Sequence, residues 1–97
     1  MSGYKSRSAY KLIEIITKFS LLNAKDNVLD LGSSPGGWSQ VLAEKIVNGK
    51  VISVDLKLMD KIKNNIFIQG DFMDGECQKK ILSFVDARID GVFSDMA

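Results

Sequence analysis

No histidine occurs among the 97 residues. The commonest general base and the commonest metal ligand are therefore missing, and neither a metal centre nor a Ser-His-Asp hydrolase is expected. Cysteine occurs once, at Cys77, so the chain cannot close an internal disulfide. A reducing, cytoplasmic setting is expected, with the lone thiol a small buried apolar group. No apolar run approaches the roughly 20 residues of a membrane span, so no membrane association is expected. The opening stretch MSGYKSRSAY is polar and basic with no apolar core behind it, which does not read as a signal peptide. A dominant charge is lacking too: 13 Lys and Arg stand against 12 Asp and Glu, a net +1. The local excess lies in the first eleven residues, which hold Lys5, Arg7, Lys11 and no acid.

What is present describes a globular protein, 45% hydrophobic and 26% charged. From Ser8 to Phe19, Leu12, Ile15, Ile16 and Phe19 recur at helical spacing, with Ser8 as a candidate cap. NVLDL at 27–31 reads as a strand stopped by Gly32. The helical period returns from Trp38 to Val47 through Trp38, Val41, Leu42 and Ile46. Val51 to Leu56 and Ile66 to Gln69 read as strands. Asp74 caps a helix to about Val85 that buries Ile81, Leu82 and Val85, and DGVFSD is a fourth strand. Strands alternating with helices imply an α/β fold, with a mostly parallel sheet and helices on both faces.

The expected organisation is one domain over 1–97. A basic N-terminal segment and first helix fill 1–20, and the cofactor-binding half of a sheet fills 27–97. The strand GVFS carries no edge-protecting lysine or proline, and four strands make a small α/β sheet. The chain is therefore expected to be part of a larger protein, truncated after its fourth strand, whose exposed edge favours self-association.

In parallel α/β sheets ligands bind outside the carboxyl ends of the strands. Those ends supply Asp30 and Gly32, then Asp55, then Gly70 and Asp71, then Ser94 and Asp95. Taken singly, a strand-end aspartate is more often a cap or a solvated turn residue, and Asp30 could merely orient the loop. Trp38 alone reads as core, and Lys57, Lys61, Lys63, Lys79 and Lys80 as solvated. The set as a whole carries more weight. Gly32, Gly36 and Gly37 allow a sharp turn and a close approach of backbone to ligand. Asp55, ending the second strand, is placed to bind both hydroxyls of a ribose. The dinucleotide fingerprint is G-x-G-x-x-G, but here Gly32-Ser33-Ser34-Pro35-Gly36-Gly37 puts Ser34 where the middle glycine admits a pyrophosphate. This favours a nucleoside without phosphates, such as S-adenosylmethionine, over NAD, and disfavours a nicotinamide-dependent oxidoreductase. Tyr4, Lys5, Arg7, Tyr10 and Lys11 interleave aromatics with cations, a pattern that suits RNA, with a frayed terminus as the equal alternative.

Together SRSAYKL, LDLGSSPGGWSQ, ISVDL, IQGDF and SDMA resemble the RrmJ/FtsJ-type ribose 2′-O-methyltransferase family over almost the entire chain. The resemblance implies a Rossmann-like sheet and S-adenosyl-L-methionine as methyl donor. It implies that the enzyme transfers the methyl to an RNA ribose 2′-hydroxyl, with a uridine of large-subunit ribosomal RNA as the expected target. Transfer RNA or an mRNA cap is the alternative target, and an inactive truncated remnant the non-enzymatic one. Residue by residue, it implies that Gly36 and Trp38 contact the methionine end of the cofactor. Asp55 would hold the ribose, Asp71 the adenine amino group, and Asp95 would lie beside the sulfonium. Lys11 and Asp95 match the first two members of the family's Lys-Asp-Lys-Glu catalytic set. The second lysine and the glutamate lie beyond position 97, so these 97 residues alone are expected to be inactive.

Overall fold

The computed structural model describes residues 8–19, 22–34, 36–85 and 88–94. Its elements run α1 (Ser8–Phe19), β1 (Asn27–Leu31), α2 (Gly37–Lys45), β2 (Lys50–Asp55), β3 (Ile66–Gln69), α3 (Gly75–Val85) and β4 (Gly91–Ser94). The four strands form one sheet in the order β3-β2-β1-β4, with every pair parallel. The order reverses direction between β1 and β4, the switch point at which α/β sheets open a crevice.

Side chains alternate across the sheet with a period of two, and helices pack on each face, leaving Val92 of the edge strand β4 57% exposed. Val28 and Val51 meet Ala9, Leu12 and Ile16 of α1, Val41 and Leu42 of α2, and Ile46 at its C-cap. On the opposite face Leu29, Leu31, Ile52, Val54 and Ile68 meet Cys77, Ile81 and Val85 of α3. Helices therefore lie on both faces, as the alternation of elements predicts. Cys77 is buried, and burial chiefly pushes its thiol pKa up, with the Asp74 and Asp71 charges adding and Lys80 opposing. The thiol stays neutral, a packing group.

Four expectations shift. Ile15 is 40% exposed, because the buried line of α1 runs through Ala9, Leu12 and Ile16, and small Ala9 lets the helix settle against α2 on that side. Leu82 is 46% exposed, because Cys77, Ile81 and Val85 at i, i+4 and i+8 form the single line by which α3 touches the sheet. The second strand begins at Lys50 and ends at Asp55, leaving Leu56 outside it and 68% exposed. The helix expected over Trp38 to Val47 spans Gly37–Lys45, with Ile46 closing it through an N–H bond to the Leu42 carbonyl. The Ser8 side chain lies outside the described residues.

A polar chain is buried within the face under α2. Asp30 and Ser53 are register partners on β1 and β2, and Ser39 of α2 stands over both. The Ser39 hydroxyl donates to Asp30 Oδ2 at 2.6 Å and lies 2.6 Å from Ser53 Oγ. Asn65 Nδ2 donates to Ser53 Oγ at 2.8 Å. A hydroxyl has one proton, and Ser39 uses its own on Asp30, so Ser53 must donate to Ser39 and accept from Asn65. The direction is thus set from Asn65 through Ser53 and Ser39 to the Asp30 carboxyl. This chain fixes α2, and with it the preceding loop, to the two central strands.

Gly49 shows how tightly the turn before β2 is held. A Cβ there would sit 1.8 Å from the Asp26 carbonyl oxygen, so only glycine fits. β4 is secured at its amino end by Asp90. The Asn27 amide donates to Asp90 Oδ2 at 2.8 Å, Arg88 Nε donates to Oδ1 at 3.1 Å, and the Asp90 amide returns to the Asn27 carbonyl at 2.7 Å.

Two outcomes are expected. Ser39→Ala removes the hydroxyl that Asp30 and Ser53 both use, and should cost about 1–3 kcal/mol in urea unfolding, the scale for removing a buried hydrogen-bond partner. The Asn27 amide chiefly, and Arg88 less, hold the Asp90 carboxyl below the usual carboxylate range, against a smaller opposing effect of desolvation. A depressed folded pKa contributes stability above the ordinary carboxylate value and loses it as pH falls through the folded one. Asp90→Asn should therefore lower the melting temperature at pH 7 and flatten its decline below about pH 4; an unchanged acid limb would contradict the clamp.

Candidate functional site

The carboxyl ends of β1, β2 and β3 surround a cleft of about 230 Å³. Its wall includes Gly32, Asp55, Leu56, Asp71, Phe72 and Met73. A larger depression of about 460 Å³ runs along α3 beside Gln69 and Lys80, and neither Gly32 nor Asp55 lines it.

The loop leaving β1 folds back over the end of β2. Gly32, at φ 68°, turns the chain into the left-handed region. The Gly32 and Ser33 amides both donate to the Val54 carbonyl, at 2.9 and 3.3 Å. The Ser34 amide donates to Asp55 Oδ2 at 2.8 Å. Three successive amides are thereby consumed inside the protein. In a pyrophosphate-binding loop such amides would face the ligand. Gly36, at φ 116°, forms the N-cap of α2, and its carbonyl accepts from the Gln40 amide at 2.9 Å. Gly37 is buried in the helix's first turn.

The Asp55 carboxylate is gripped on both sides. Oδ2 takes the Ser34 amide, and Oδ1 takes the Lys57 amide at 2.9 Å. A carboxylate oxygen has two acceptor positions, so each keeps one beyond its backbone bond. Two oriented acceptors on a cleft wall match a vicinal diol, whose two hydroxyls both donate. The next strand adds Asp71, whose Oδ1 takes the Met73 amide at 2.9 Å. It stands exposed at the far side of the same cleft. Between these acids the wall is apolar: Leu56 is 68% and Met73 79% exposed, and Phe72 is half-buried. Flat apolar surface flanked by fixed acceptors suits an aromatic base joined to a ribose.

The structure thus brings together Gly32, Asp55 and Asp71, with Gly36 and Gly37 beginning the helix behind them. Asp30 does not join them. It is wholly buried under α2, bonded to Ser39, and serves the packing of the loop. Trp38 is half-buried against the α1–α2 core and does not line the cleft. Its indole Nε1 is buried with no hydrogen-bond partner among the described residues. Lys11 is exposed on α1. Tyr10, beside it, is 51% exposed. Lys5, Arg7, Tyr4 and Asp95 lie outside the described residues. Sequence reasoning missed Leu56, Phe72 and Met73. The available signal was position: each follows within two residues of an acid at or just beyond a strand end.

The family model for FtsJ-like methyltransferases matches residues 4–97. The chain is 48% identical over 97 residues to the ribosomal RNA large subunit methyltransferase E of Pelagibacter ubique, covering 100% of this chain and 48% of that protein. It is 50% identical over 97 residues to the protein of the same name from Marinobacter nauticus, covering 98% of this chain and 47% of that one. Among solved structures, a Plasmodium falciparum protein provisionally named a ribosomal RNA methyltransferase superposes with a TM-score of 0.83 at 38% identity, over 97% of this chain and 57% of that one. The chain spans about half the length of the curated relatives it matches. With parallel strands in the order β3-β2-β1-β4 and a family match over nearly its whole length, the chain belongs to the FtsJ-like methyltransferase family.

Proposed function

We propose that these residues form the cofactor-binding half of an S-adenosylmethionine-dependent RNA methyltransferase. Its reaction moves a methyl group to a ribose 2′-hydroxyl, with a uridine of large-subunit ribosomal RNA as target. The observation that carries the reading is the Asp55 carboxylate. It is held by two backbone amides on a cleft wall, next to a loop whose Gly32, Ser33 and Ser34 amides are turned onto the protein. That arrangement fits a nucleoside without phosphates. The names of the relatives support the choice of RNA. In this reading residues 1–20 serve RNA and catalysis through Lys5, Arg7, Tyr10 and Lys11, and residues 27–97 serve the cofactor.

S-adenosylmethionine, when bound, supplies a methyl carbon activated by a sulfonium. Asp55 would accept from the two ribose hydroxyls, Asp71 would accept from the adenine amino group, and Leu56, Phe72 and Met73 would exclude water from the base. Gly32, Gly36 and Gly37 would admit the remainder of the cofactor beside the start of α2. Trp38, in the first turn of α2, would lie beside that end of the cofactor. A ribose hydroxyl is a weak nucleophile, so it must be positioned and relieved of its proton. Lys11 would stabilise the developing alkoxide, and Asp95 would hold the lysine toward it. Asp55 and Asp71 would hold the cofactor with its methyl carbon offered to the ribose oxygen that Lys11 and Asp95 would position.

Two measurements on the full-length protein test this. Calorimetry should show S-adenosylmethionine binding in preference to NAD, and Asp55→Ala should weaken that binding by about 1.5–3 kcal/mol, the range for hydrogen bonds to a charged group. Tighter NAD binding would overturn the cofactor assignment. Lys11→Ala should leave cofactor affinity within about twofold while slowing single-turnover methyl transfer by roughly 10²-fold, the scale of one positioned catalytic or electrostatic group. Transfer at the wild-type rate would remove Lys11 from the catalytic set.

A further inference from the structure

At the end of the sheet opposite the cleft, the segment 61–66 and the start of β2 enclose a groove of about 450 Å³. Lys50, Lys61 and Lys63 line it, and no acid does. The one acid on the adjoining depression, which shares Lys61 and Lys63, is Glu44. A molecule with 13 basic and 12 acidic residues does not produce such a lining through general basicity. The local backbone explains it. Ile62 is drawn into the core at 8% exposure, so its neighbours Lys61 and Lys63 are thrown outward. Asn64, at φ 62°, turns the chain back. The Asn65 side-chain amide then ties it to the Val51 carbonyl at 3.2 Å and to Ser53 Oγ at 2.8 Å. The wall bearing the lysines is therefore fastened to the polar chain that holds α2. None of the three ammonium groups belongs to an ion pair among the described residues, unlike Lys79, which meets Glu76, and Arg88, which meets Asp90.

We propose that this groove is a second docking site for the phosphate backbone of the RNA substrate, a reading that rests on the function proposed above. Lys50 and Asp55 are the two ends of β2, five residue steps or roughly 17 Å apart at about 3.3 Å per step. A small substrate cannot reach both ends, whereas a folded RNA can. Lysine ammoniums are point charges that meet phosphates without reading bases, so the groove would add affinity and orientation rather than sequence choice. Lys61 and Lys63, which the sequence presents as members of a solvated loop, thereby acquire a partner.

The test uses the full-length protein and a fluorescent fragment of large-subunit ribosomal RNA, with anisotropy measured over a series of KCl concentrations. The Lys50→Gln, Lys61→Gln, Lys63→Gln triple variant should show a slope of log K against log salt that is shallower by roughly 2–3, near one for each phosphate no longer neutralised. Its S-adenosylmethionine affinity and melting temperature should match wild type. Should the triple variant melt early, Lys63→Gln alone decides, with an expected change near 1. Lys79→Gln with Lys80→Gln removes exposed charge elsewhere and should leave the slope near wild type. A wild-type slope in the groove variant overturns the proposal, as does an equal change in the α3 control. Binding to phosphatidylglycerol vesicles that depends on these lysines, with RNA binding unchanged, also overturns it. Failure of wild type to bind RNA at all would instead remove the RNA reading itself.

Discussion

The Ser34 amide donates to the Asp55 carboxylate across 2.8 Å, and the cleft depends on that bond. It joins the loop leaving β1 to the tip of β2, two segments 21 residues apart in sequence. With the Gly32 and Ser33 amides also turned onto the Val54 carbonyl, the first three amides after β1 are spent on the protein. The oriented side-chain groups on the cleft wall, the carboxylates of Asp55 and Asp71, are acceptors.

That loop holds its place because the helix behind it cannot shift. The chain from Asn65 through Ser53 and Ser39 to Asp30 runs across β2, α2 and β1 inside an otherwise apolar face. Buried polar atoms are costly unless partnered, and a displaced α2 would break two short bonds at once. Specificity of packing is the gain. Apolar contacts alone would let α2 slide along Val28 and Val51, whereas the two Ser39 hydroxyl contacts, to Asp30 and Ser53, admit one position.

The same chain reaches the opposite end of the molecule through Asn65. One side chain thus braces both the helix that starts at the cleft and the segment that carries Lys61 and Lys63. The two ends of β2 differ in character for a simple reason. The carboxyl end is closed by carboxylates that accept, and the amino end is ringed by ammoniums that donate.

Much of this was legible in the residues. The α1 boundaries, β1, β3, the parallel alternation, Asp74 at the start of α3 and the burial of Cys77 follow from periodicity, punctuation and polarity, which act within a few positions of the chain. The acids at 55 and 71 were marked by their position at strand ends, and the spacing of the glycines marked the loop. What periodicity could not decide was which neighbour each side chain would meet. Asp30 and Asp55 both occupy the ends of apolar strands. One is sealed under Ser39 and the other opens to the cleft, because β1 runs beneath α2 at Asp30 while β2 ends clear of any helix at Asp55. Trp38, by contrast, shares its helical period with Val41, Leu42 and Ile46, and the structure seats it against that core as the period implied. Ile15 and Leu82 have apolar side chains at helical spacing yet face solvent, since each helix touches its neighbours along a single line. The sequence by itself determined the elements and the chemical groups available. The tertiary structure decided which groups are spent on the fold and which remain for a ligand, because that partition depends on contacts between segments distant along the chain.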